Sequence, residues 1–169
     1  MVLLHSSQTQ FIREFEQHFP RPWNKAVHFV HAQGRLLDVR VGKGRSDSEY
    51  LGVFDGETLI AIMNTWAPED SVPHRHIGKT IVERPHQGHG ITRQLIEWWV
   101  QTHGQCLASD ENQTHDGAHV WESMIKREPR LSFSLWRPDG REEPISVCNG
   151  CIVPDPWAEQ HTRLLARPA

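Results

Sequence analysis

Gln87-Gly88-His89-Gly90-Ile91-Thr92 is the stretch on which the reading of this chain turns. Upstream, His76 to Arg84 reads as a strand; downstream, Ile91, Leu95, Ile96, Trp99 and Val100 recur at helical spacing until Gly104 closes the run at His103. A strand that enters a helix through a glycine turn aims several backbone N–H groups at one point, at the positive end of the helix. Such a point binds anions, phosphates above all. Glycine at 88 and 90 removes the side chains that would hold a diphosphate away from the backbone, although two glycines at a helix entry also serve purely conformational ends. Two other phosphate motifs fail on inspection. Gly78-Lys79-Thr80 looks like the end of a P-loop, but Pro73 stands where that motif needs glycine. Arg93 occupies the place of the third Rossmann glycine.

Working outward, Tyr50 to Phe54 and Leu59 to Trp66 are β-type runs around the turn signal Asp55-Gly56-Glu57, and Leu37, Val39 and Val41 alternate like a half-buried strand. A polar loop, Gly42 to Glu49, separates them, and a second loop spans Ala67 to Pro73. Ahead of these, Ser7 and Gln10 make a capping-box pattern before Phe11, Ile12, Phe15 and Phe19, which predicts a helix stopped by Pro20. A second helix is predicted from Pro22 to Gln33, with Trp23, Val27 and Val30 on one stripe and Gly34 after its end. Beyond the glycine turn the pattern predicts a short strand at Cys106 to Ser109, a helix over Gly117 to Lys126, and strands at Leu131 to Trp136 and Ile145 to Val153. Asp155-Pro156 reads as the start of a last helix through Leu165.

The 169 residues, 37 % of them apolar and 23 % charged, suit one ordinary α/β domain. A net charge of -3 with dispersed basic residues argues against nucleic-acid binding. The longest apolar run, Leu59 to Met63, is far below the ~20 residues of a membrane helix, and the first five residues are too short for a signal peptide. Three cysteines fit a reducing compartment, so a cytoplasmic protein is expected.

The stretch from Gln87 to Thr92 resembles the fingerprint of the GNAT family of N-acetyltransferases: Gln or Arg, two residues, Gly, one residue, then Gly or Ala. Thr92 departs from it at the final small position. The hairpin at 50–66, the strand at 76–84 and the helix-strand-helix run at 91–125 are similar to the family's middle half. The resemblance implies a mixed, mostly antiparallel central sheet flanked by helices. It implies one acyltransferase domain over 1–169, with N-terminal helices in 1–34, an acyl-CoA-binding core in 50–127, and strands with a short helix in 131–169. Acetyl-CoA would be the cosubstrate, its pyrophosphate on Gln87, Gly88, His89, Gly90, Ile91 and Thr92 and its pantetheine arm along Ile81, Val82 and Glu83. The acetyl group would pass directly to an amine, of a small molecule or a macromolecule, and a homodimer is compatible with the reading.

Direct transfer needs a deprotonated amine, a donor at the carbonyl oxygen, and a proton for the leaving thiolate. Strand alternation puts His74, His76, Thr80 and Val82 on one face and Glu83 on the other. His76 is the first candidate base, because imidazole titrates near neutral pH. Glu83 is second, and Asp110, at the end of the next strand, is third; salt bridging and turn formation are their bland alternatives. The family's usual acid is a tyrosine on the helix after that strand, but the one tyrosine here is Tyr50. Trp121 stands near that place and cannot act as the acid, which leaves Ser123 or water.

Cys148-Asn149-Gly150-Cys151 invites a metal or redox reading. Asn-Gly between β-type runs is the favoured hairpin turn, however, and no second such pair exists, so no metal is expected. Two other functions stay open: a GNAT-shaped binding or structural protein without turnover, and a zinc-dependent interaction module.

Overall fold

The computed structural model describes residues 12–13, 23–44, 47–67 and 74–169. The helix expected over 7–19 lies outside them except for Ile12 and Arg13, whose backbone is helical. Most of the loop at 67–73 also lies outside. The chain divides into two compact units, Met1–Trp66 with Gly78–Leu95, and Ala67–Ile77 with Ile96–Ala169.

The first unit is an antiparallel run of strands: β1 (His28–Ala32), β2 (Arg35–Lys43), β3 (Glu49–Asp55) and β4 (Thr58–Trp66), adjoined by the later part of β5 (Arg75–Val82). Val30 and Ala32 in β1 and Leu37 and Val39 in β2 are buried at alternate positions, as a period of two requires, whereas β3 is buried continuously from Leu51 to Phe54. Ile12, Phe54, Leu59, Ile62 and Ile81 form a buried cluster against which Trp23 and Tyr50 pack. The first turn of α1 (Ile91–His103) belongs to the same unit, where Ile91 and Leu95 are buried.

The helix predicted over 22–33 is absent: β1 occupies its second half. Its apolar stripe was compatible with a helix, but β2 offers Leu37↔Val30 and Val39↔His28 pairing, and tertiary pairing overrode local pattern. Gln33 and Gly34, at φ 55 and 71, then form a two-residue hairpin turn instead of a helix cap. Even the irregular approach is strand-like, since the N–H groups of Asn24 and Val27 donate to the carbonyls of Val41 and Val39.

The second unit is mixed. The start of β5 runs parallel to β6 (Leu107–Ala108), pairing Arg75↔Leu107 and His76↔Ala108, while β11 (Arg163–Pro168) lies antiparallel between β6 and β7 (Leu131–Trp136). A short β8 (Glu142–Pro144) adds to β7. The later turns of α1 and all of α2 (His115–Arg127) complete it; Thr114 caps α2 by accepting the N–H of Gly117.

The helix expected from Asp155 to Leu165 is also replaced. Asp155 Oδ1 accepts the N–H of Trp157 and begins only a turn, and Leu164, Leu165 and Ala166 lie fully buried within β11. A strand covered on both sides reads as a continuous apolar run, which in a short stretch is indistinguishable from a helix face. The strand expected over 145–153 is broken by its own turn into β9 (Ser146–Cys148) and β10 (Cys151–Val153), a separate two-stranded sheet. The remaining elements stand where their periodicity put them, α1 over the expected residues.

Candidate active site

In the first unit, β5 ends at Val82, a single 3-10 turn covers Arg84–His86, and α1 starts at Ile91. Three bonds fix this connection, one to β4, one within it and one back to β5. The N–H of Glu83 donates to Ile60 O at 2.8 Å, the N–H of His86 donates to Glu83 O at 2.9 Å, and Gln87 Nε2 donates to Val82 O at 2.8 Å. Gln87 therefore folds back on the strand that precedes it, while Gln87, Gly88 and His89 stay exposed.

Gly90 is the N-cap of α1: its carbonyl accepts the first helical bond, from the N–H of Gln94 at 3.1 Å. Its φ is 75, in the left-handed region that favours glycine. The absence of a side chain has a second effect. Ser, Asp or Asn at an N-cap accepts the open N–H groups of the first turn itself, whereas glycine leaves those of Ile91, Thr92 and Arg93 to an outside acceptor. The first turn carries no acidic residue and does carry Arg93, a cation at the positive end of the helix dipole. A Cβ added at Gly90 would lie 3.8 Å from Arg93 Nε and Nη2, so the guanidinium sits beside the turn. A bound anion would reverse the unfavourable sign of that placement. Donors, glycines and charge all fit a diphosphate.

Two glutamines, one on α1 and one at the hairpin tip, tie this turn and β1 together. Gln94 Oε1 accepts the N–H of His31 and Gln94 Nε2 donates to His31 O, both at 2.9 Å, so one side chain pairs with the strand as another strand would. At the hairpin tip, Gln33 Nε2 donates to Pro85 O at 2.6 Å and lies 2.9 Å from His89 Nε2. His89 must accept there and carry its ring proton on Nδ1.

Farther back on β5, Asn64 Oδ1 accepts the N–H of Lys79 at 2.5 Å, and a Cβ at Gly78 would come within 2.7 Å of that oxygen. Glycine at 78 thus makes room for Asn64 and is no part of a P-loop. Because the N–H groups of Lys79 and Glu83 both turn toward β4, alternation turns those of Thr80 and Val82 to the opposite edge of β5. Ile81 is buried in the unit's core.

In the second unit His74 and His76 are buried, and both set their ring edges against Trp136, with centroids 5.2 and 6.1 Å away. Burial above all, with the charge of Arg163 and the neighbouring His74, lowers the pKa of His76 to about 4, against the opposing pull of Asp110 and Glu111. The ring is therefore neutral at pH 7. Asp110 itself is exposed and accepts the N–H of Asn112, a local turn. Glu83 directly follows the end of β5 and is half-buried. Ser123 is half-buried on α2, between the core residues Trp121 and Met124; the Trp121 ring meets Phe133 edge-on at 6.4 Å.

Sequence reading missed Glu111, His161 and Arg163, which the fold joins beside the histidines. Arg163 donates to Ser109 O at 3.0 Å and to Glu111 Oε1 at 3.3 Å, while His161 Nδ1 lies 3.2 Å from Glu111 Oε2. About fifty positions separate the partners, and no local pattern signals them. Arg93 and Gln94 were missed as well, yet an arginine in an otherwise uncharged first turn is a readable signal.

A sequence profile described as the Acetyltransferase (GNAT) family matches residues 9–111. No curated protein matches the chain. Among solved structures, similarity extends to the ribosomal-protein-S18-alanine N-acetyltransferase from Escherichia coli, at 16 % identity over 75 % of this chain and 71 % of that one, TM-score 0.42. The IAA acetyltransferase from Bacillus cereus is 16 % identical over 73 % and 79 %, TM-score 0.42. The PaiA N-acetyltransferase from Thermoplasma acidophilum, in complex with coenzyme A, is 10 % identical over 73 % and 62 %, TM-score 0.41.

Proposed function

The chain belongs to the GNAT family of acetyltransferases, and from that premise we propose that it transfers an acetyl group from acetyl-CoA directly to a primary amine. The observation that carries this reading is the N-terminus of α1, capped by Gly90 at φ 75, with the Arg93 guanidinium beside it. Ile91, Thr92 and Arg93 present their N–H groups to the pyrophosphate, and Gly88 and Gly90 keep the approach clear. Ile81 to Glu83 would hold the pantetheine arm, with the N–H of Val82 facing the edge opposite β4.

When bound, acetyl-CoA supplies the activated thioester. Backbone N–H groups of β5 orient its carbonyl oxygen. His76, held neutral by burial, takes the proton of the amine nitrogen. A base titrating near 4 does not strip a free ammonium, so the amine enters neutral and His76 accepts the proton once acylation has made the nitrogen acidic. Ser123 or water returns a proton to the departing thiolate.

Trp121, buried where the family often carries its tyrosine, favours a second reading in which the fold binds acetyl-CoA without turnover. One experiment separates the two: melting curves with and without acetyl-CoA, followed by release of free CoA thiol over a panel of primary amines. A rise in Tm with thiol release above the amine-free rate supports the transferase. A rise without thiol release on any amine supports the binding protein, and no rise at all removes both.

A further inference from the structure

Acyl transfer leaves one motif unused, Cys148-Asn149-Gly150-Cys151. In the sheet formed by β9 and β10, Cys148 and Cys151 are direct register partners. Asn149 and Gly150, at φ 51 and 78, make a two-residue turn whose twist fits the strands. Directly opposed residues of antiparallel strands project from one face with Cα atoms roughly 4.5–5.5 Å apart, within the roughly 4.4–6.8 Å span that a disulfide accepts. Alternation places Ser146 on the same face, and its Oγ lies 4.0 Å from Cys148 Sγ.

Both thiols are free and exposed. Cys106 contrasts with them: it is buried, and burial pushes its thiol up to about 11. A metal fits the pair poorly, because a closed zinc site needs four ligands and no group of three or more His, Cys, Asp or Glu is placed to hold a metal among the described residues.

We propose that Cys148 and Cys151 are a reversible oxidation site, a dithiol that closes into a disulfide across the hairpin when it meets a small disulfide oxidant of the glutathione type. One cysteine thiolate attacks a sulfur of the oxidant, forms a mixed disulfide and expels one thiolate. The second cysteine thiolate then attacks the protein sulfur of that mixed disulfide, closes the S–S bond and expels the other. Two protein thiols are oxidised, one small disulfide is reduced to two thiols, and the two protons lost by the cysteines are taken up by the leaving thiolates. The hairpin register holds the second sulfur beside the first, so ring closure outruns any bimolecular rescue of the mixed disulfide.

Intact-mass spectrometry tests this on the full chain, treated with oxidised glutathione at neutral pH, then denatured and alkylated. The expected product is two hydrogens lighter before alkylation, takes up a single alkyl group, at Cys106, and returns to three alkyl groups after dithiothreitol. Cys148→Ser and Cys151→Ser should each trap a stable glutathione adduct on the remaining exposed cysteine. Three results would overturn the proposal: glutathione persisting on the parent protein, disulfide-linked dimers as the main product, or an unchanged thiol count.

Discussion

The glycine turn before α1 and the histidine cluster around Trp136 offer their chemistry from different parts of the residue. The turn works with backbone: the N–H groups of residues 91–93 come from consecutive positions, and the side chains of Gln33, Gln87 and Gln94 only hold it in place. The cluster works with side chains that β5, β7 and β11 bring from positions 76, 136 and 163. The first is specified by a few neighbouring residues and is sensitive to any added atom. The second is specified by the fold and is sensitive to the dielectric around it.

The largest effect that sharpens this contrast is expected at Gly90. Gly90→Asp places a Cβ at φ 75 and a negative charge beside the phosphates. The affinity for acetyl-CoA, followed by calorimetry, should fall by about 10³-fold, roughly 4 kcal/mol. Parent-like affinity in a folded mutant would mean that the anion binds elsewhere.

Next in size is the acid limb of stability. His76 titrates near 4 when folded against 6.5 as a free side chain. The unfolded chain thus binds the extra proton between these values. The stability contributed by keeping His76 neutral is complete above about pH 6.5 and falls away as pH drops toward 4, by about 3 kcal/mol at most. His76→Gln should flatten the urea-derived stability curve across that window, and parallel curves for mutant and parent would refute the burial argument.

The same substitution probes turnover. His76→Gln should slow acetylation of an accepted amine by roughly 10²-fold at neutral pH with acetyl-CoA affinity unchanged. Glu83→Gln is the control; a comparable loss there, with His76→Gln active, would move the base to the end of β5.

The smallest effect concerns the brace. Gln94→Met keeps length but loses both bonds to His31, which should lower stability by about 1 kcal/mol and weaken acetyl-CoA severalfold with little change in kcat. A fall in kcat at saturating acetyl-CoA would show that the turn does more than hold the cosubstrate.

What was legible in the sequence follows the same division. Gln87 to Thr92, the hairpin of β3 and β4, and both described helices are local patterns, and each was readable. β1 and β11 were misread as helix because their strand character comes from pairing with β2, and with β6 and β7, and pairing leaves no mark on a short apolar run. At the candidate site, His76 was readable as a histidine but not as a buried one. Its environment is set by Trp136 and Arg163, and neither can be assigned to it before the strand order is known.

The Gln94 bond to β1 reaches beyond acyl transfer. Among the described residues β1 is the outermost strand of its unit, and the outer edge of a sheet is a template on which another chain can lay a strand. At His31 that template is already written over, because a helix side chain occupies the N–H and the carbonyl together. A strand arriving from a second molecule would have to displace this amide before it could gain its own two bonds, so the residue that steadies the turn also discourages edge-to-edge aggregation.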